Sequence, residues 1–94
     1  GGVGCISVTA NVVPRFCADL HNAWIDHDIK KSQEINLKLA KLHDALFIES
    51  SPGPVKYAAE LLNLCSSETR MPLVEIQNST KKIVKDCLIE LNLL

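Results

Sequence analysis

The chain has 94 residues, of which 47% are hydrophobic and 22% charged, and its formal net charge is -1. This supports one small globular domain with a marginal core and excludes a disordered segment. The scattered lysines give no electrostatic footprint for nucleic acid, no apolar run approaches the ~20 residues of a membrane span, and no signal-peptide pattern is read at the start.

The first element lies in "GGVGCISVTANVVPRF". Its run Val3 to Thr9 carries β-branched residues between turn-forming glycines and predicts a strand over Val3 to Val8. Cys5 and Ser7 are small, so the run is nearly apolar on both faces, as in a strand covered on both sides by other layers. No second strand can be read downstream. The N–H and C=O groups of a buried strand need partners. This one must therefore pair with material outside these residues, recruit a partner at its open edge, or be lost. The only methionine is Met71 and the chain opens on two glycines, so a fragment or processed piece is expected.

Four amphipathic helices follow. The first is predicted over Pro14 to Ile25, with Pro14 in its first turn and Phe16, Cys17, Leu20, Ala23 and Trp24 on one face. Asp26-His27-Asp28 breaks it, and either aspartate suits the cap of the next helix. The second runs from Ile29 to Phe47, with Ile35, Leu39, Leu42 and Leu46 as its apolar stripe. Pro52-Gly53-Pro54 ends it at or before Ser51. A short third helix covers Pro54 to Leu62, with Val55, Ala58, Ala59 and Leu62 facing inward. The loop "CSSETRMPLVEIQNS" is long for a structureless connection. It is expected to wrap the core through Met71, Leu73, Val74 and Ile76. Asn78 or Ser79 is expected to cap the last helix, whose inner face is Ile83, Val84, Cys87, Leu88 and Leu91.

Little in this pattern carries chemistry. Cys5, Cys17, Cys65 and Cys87 are far apart with no C-x-x-C spacing, and are read as small buried thiols in a reducing compartment. His21, His27 and His43 lack a second ligand at metal spacing, so no metal site is expected. The glycines of G-G-V-G precede the strand, whereas a dinucleotide fingerprint follows one. Ser7 has no G-x-S-x-G context. Lys56, between Val55 and Tyr57, is the only lysine with apolar neighbours. A Schiff-base role for it would need burial to lower its pKa, and the pattern gives none. No catalytic constellation and no cofactor site is read within the chain. The best place for a functional contact is the end of the strand. In a (β/α) barrel, sites gather at the C-terminal ends of strands, which would put Ile6 to Asn11 at the mouth with backbone carbonyls available to a ligand.

The segments "GCISVTANVVPR", "LFIESSPGPVKYAAELL", "TRMPL" and "LNLL" closely resemble, in order and spacing, the C-terminal third of the dihydrodipicolinate synthase family. The resemblance covers essentially the whole chain, and "ISVTANVVPR" is its most specific part. It implies a parent α/β protein, a TIM (β/α)8 barrel followed by a helical C-terminal domain, of which this chain is the mainly α end. Residues 1–26 would be the last β/α unit of the barrel, and 27–94 the helical domain. The implied activity is a lyase-class condensation of pyruvate with aspartate semialdehyde in diaminopimelate and lysine biosynthesis, by a cytoplasmic homotetramer that needs no cofactor. Pyruvate would form a Schiff base with a lysine lying upstream of Gly1. By the same resemblance, the main-chain carbonyl of Ile6 lines the pyruvate site.

Three departures from the family's usual wording fall in the helical part. They are "SSPGPVKY", "MPLVEI" and Phe16-Cys17 after the arginine. Gly53 in the first is expected to loosen the turn between helices. Two alternatives accompany this reading. One is another pyruvate-dependent lyase of the N-acetylneuraminate lyase type. The other is a free-standing helical interaction module whose strand adds to a partner's sheet edge.

Overall fold

A computed structural model describes residues 2–94. A 3-10 turn at Thr9–Asn11 leads into four α-helices: α1 Pro14–Ile25, α2 Ile29–Ala45, α3 Gly53–Leu61 and α4 Asn78–Glu90. The helix α2 is the spine. The Asp28 carboxylate accepts the Lys31 N–H at 3.0 Å, which satisfies a first-turn donor and starts the helix there. Its stripe is buried as the spacing predicts, with Leu39, Leu42 and Leu46 at 0% exposure and Ile35 at 9%. Each fully buried leucine contributes about 1.5–3 kcal/mol relative to an exposed one. Both α1 and α4 pack against α2, and α3 closes against α4 and the 3-10 turn.

Three helices stop by the same device, and none uses glycine. His27, Asn63 and Asn92 take φ of 60°, 58° and 57° immediately after the caps of α1, α3 and α4. At each end the left-handed residue and its successor donate back to the last turn. Asp28 N–H reaches the Ala23 carbonyl at 2.9 Å, Leu64 the Ala59 carbonyl at 2.9 Å, and Leu93 the Leu88 carbonyl at 3.0 Å. This is the Schellman arrangement, and asparagine is the residue that tolerates it best after glycine.

Several expectations are corrected. Residues 2–7 carry no secondary structure and no strand occurs among the described residues. A strand is held by a ladder, and the described residues supply no second one. With the segment uncovered, the radius of gyration is 14.0 Å, above the ~12 Å of a compact chain of this length. On the predicted inner faces, Trp24 is 59% and Ile83 44% exposed, because α1 packs mainly against α2 and the 3-10 turn, and Ile83 sits at the edge of the α4 stripe. The long loop touches the core through Ile76 and partly through Leu73, while Met71 and Val74 stay exposed. Neither Asn78 nor Ser79 caps α4. Gln77 stands at that position without a side-chain bond, and its N–H donates to Glu49 at 3.0 Å. The Glu49 carboxylate thus lies where the helix dipole favours negative charge.

Gly53 and the cysteines also depart from expectation. Gly53 is buried, and a Cβ built on it would meet Ile76 Cγ2 at 2.8 Å. It is a point of close approach, not a loosened turn. Cys5 and Cys65 are exposed, Cys17 is half-buried and only Cys87 is buried. Burial pushes the Cys17 thiol up against a smaller opposing effect of its Ser7 hydrogen bond, and burial with the nearby Glu90 charge pushes Cys87 up.

Gly53→Ala is expected to destabilise the fold by about 1–3 kcal/mol through overpacking, measured by denaturant unfolding. Combined with Ile76→Ala the penalty should fall short of the sum, since the same methyl is then gone; full additivity would contradict the contact. In a thiol-labelling time course, Cys5 and Cys65 are expected to react first, Cys17 later, and Cys87 only on unfolding. Labelling of Cys87 as fast as Cys65 would contradict this placement.

Candidate functional site

The segment from Ser7 to Val13 is the most tightly specified non-helical part of the chain. Ser7 Oγ accepts the Ala10 N–H at 3.1 Å, and Asn11 Nδ2 donates to the Val8 carbonyl at 3.0 Å. The Thr9 carbonyl accepts from Val12 and Val13, at 3.1 and 3.0 Å. Val12 and Val13 are 5% and 2% exposed and join the hydrophobic core. The turn is therefore built by its own small polar side chains and nailed down at its C-terminal end by two valines. Pro14 then opens α1 with the fixed φ a first turn wants.

Thr9 is the one residue of this turn whose side chain is both polar and buried, at 2% exposure. Its hydroxyl lies 2.7 Å from Nδ1 of His43 on α2. In the sequence His43 stands out only as a candidate metal ligand, and Thr9 does not stand out at all. A signal was present. His43 follows Leu42 and stands four residues after Leu39 and three before Leu46, so it lies on the margin of the buried stripe, where a polar ring needs a partner.

Ile6, the residue expected to present its carbonyl, lies just outside this turn and is fully exposed. Among the described residues its carbonyl takes part in no backbone hydrogen bond. The segment before it drapes over α1 and the start of α2, where Gly4, Cys5, Leu20, Trp24 and Asn36 help line a cavity of about 330 Å³. Lys56 is not brought to Ile6. It is half-buried beside a cavity of about 620 Å³ with Cys65 and Arg70, and its ammonium donates to the Glu68 main-chain carbonyl. The second cavity also has Ser66 and Glu68 in its wall, and the first has His21 and Ser32. Among the described residues no hydrogen bond links a thiol or hydroxyl to a basic or acidic side chain in either, since Lys56 is held by the Glu68 main-chain carbonyl and Ser66 Oγ accepts the Glu68 N–H. What the geometry offers is a rigid, capped turn that positions the backbone just before it.

The model of the dihydrodipicolinate synthetase family matches residues 1–91. The 4-hydroxy-tetrahydrodipicolinate synthase of Gluconobacter oxydans is 51% identical over 94 residues, covering 100% of this chain and 32% of that protein. The crystal structure of dihydrodipicolinate synthase from Thermotoga maritima superposes with a TM-score of 0.96 at 38% identity, again covering 100% of this chain and 32% of the other. A chloride-inhibited dihydrodipicolinate synthase from Acinetobacter baumannii, solved with pyruvate, gives 0.89 at 32% identity over 97% of this chain and 31% of that one. This chain spans about a third of the length of the relatives it matches, and it belongs to the dihydrodipicolinate synthetase family.

Proposed function

We propose that this chain forms the C-terminal portion of a synthase that condenses pyruvate with aspartate semialdehyde. The observation that carries the reading is the family match over residues 1–91. In this reading residues 1–26 are the last β/α unit of a TIM barrel and 27–94 its helical domain. The run Val3 to Val8 becomes a strand once a neighbouring strand supplies the ladder, and the Ile6 carbonyl then faces bound pyruvate. The pyruvate complex of the Acinetobacter baumannii relative supports the choice of substrate. The 51% identity to a 4-hydroxy-tetrahydrodipicolinate synthase supports the second one.

Within the reaction this chain contributes position, not proton transfer. A main-chain carbonyl is a fixed acceptor with two lone pairs, suited to orienting a substrate or its adduct without being consumed. Its aim depends on the turn that follows, which Ser7, Thr9 and Asn11 hold together. The Schiff base itself falls to a lysine outside these residues. Whether four copies assemble and whether the protein works in the cytoplasm follow the family in this proposal. Among the described residues no helix is long and apolar enough to cross a membrane.

The isolated 94-residue chain, treated with labelled pyruvate and borohydride, is expected to take up no label. The full protein containing it is expected to be labelled at one lysine and to consume aspartate semialdehyde. Labelling of the isolated chain would overturn the assignment of position. Turnover of sialic acid in place of aspartate semialdehyde would overturn the assignment of substrate.

A further inference from the structure

The bonds within the Ser7–Val13 turn fix its local shape but not its place in the molecule. Ser7 to Ala10 and Asn11 to Val8 are contacts between near neighbours. Besides the Ser7 hydrogen bond to Cys17 of the adjoining α1, one hydrogen bond among the described residues ties this turn to a distant helix, the 2.7 Å contact between Thr9 Oγ1 and His43 Nδ1, 34 residues apart. Its far end is stiff, because His43 rides between Leu42 and Leu46, both at 0% exposure. Its near end is three residues from Ile6. We infer that His43 is a positioning residue for the pyruvate site, fixing through the Thr9 hydroxyl the turn that aims the Ile6 carbonyl. The inference rests on the role of Ile6 proposed above.

The chemistry of the pair suits a fixed strut. A threonine hydroxyl can donate to a bare ring nitrogen or accept from a protonated one, so the contact persists in either state of the imidazole. Removing the hydroxyl leaves the ring nitrogen partnerless at a half-buried site. Removing the ring leaves a hydroxyl that is 2% exposed without an acceptor. Each loss is relieved only by movement of the turn. The valines at 12 and 13 would keep the turn attached to the core, so the expected outcome is misaim rather than unfolding.

The test uses the full protein, with Thr9→Val, Thr9→Ser, His43→Gln and His43→Asn. Serine keeps the hydroxyl. Asparagine keeps an amide atom close to where Nδ1 sits, whereas glutamine moves it outward towards the Nε2 position. Thr9→Val and His43→Gln are expected to raise the KM for pyruvate about tenfold with kcat within about twofold. Thr9→Ser and His43→Asn should restore most of the loss, and the KM for aspartate semialdehyde should move less. Amide exchange over Ser7–Val13 should quicken in the two impaired variants and not in the rescued pair. A pyruvate KM unmoved by Thr9→Val overturns the positioning role, and so does a loss of kcat and stability at constant KM. A wild-type protein that fails to form a pyruvate adduct is a different failure, read on the unsubstituted chain. It overturns the proposed function and takes the positioning role with it, while an active wild type with unmoved variants overturns the positioning role alone.

Discussion

Burial of the Leu39–Leu42–Leu46 stripe of α2 is the contact on which the rest of the structure depends. These three side chains are the ones against which α1 and α4 find a common wall, and all three reach 0% exposure. Because a helix repeats every 3.6 residues, a stripe at intervals of three and four leaves its margins partly covered. His43 occupies one such margin and Lys41 lies off the stripe, where its ammonium meets Glu90 of α4 at 2.8 Å. The ion pair is solvent-screened and holds register more than it adds stability. The imidazole, half-covered, is the group through which the helical layer reaches the turn before α1.

The second constraint is backbone satisfaction. Residues in α1 to α4 close their own hydrogen bonds, and the ends of three helices are closed by left-handed His27, Asn63 and Asn92. The segment 2–7 has no such internal solution, and it lies open with Val3 and Ile6 fully exposed. In the proposed placement, this apolar run of β-branched residues is completed by the neighbouring strands of a barrel. That physical reading and the family membership point the same way. The proposed placement in a barrel gives the run both its partners and its cover.

Much of the helical part was legible in the sequence, and the reasons are specific. Pro14 and Asp28 mark helix starts by chemistry that does not depend on tertiary context, and both starts stand where they were expected. The α2 stripe was equally plain. What failed to read was whatever depends on neighbours. Trp24 and Ile83 sit at helical spacing from buried residues, yet packing leaves them out. Gly53 looked like slack in a turn until Ile76 was found against it. Thr9 and His43, 34 residues apart, meet through the fold alone, so no local pattern pairs them. The Ile6 role came from the resemblance, because no local pattern orients a carbonyl whose ladder the described residues do not supply.

The proposed placement makes Val3 to Val8 a strand that forms only against its sheet. Residue-resolved amide exchange of the full protein, compared with the isolated 94-residue chain, tests it most directly. Amides over Val3 to Val8 should be strongly protected in the full protein and exchange near the rate of an open chain in isolation. Lack of protection in the full protein would contradict the claim, as would equal protection in both.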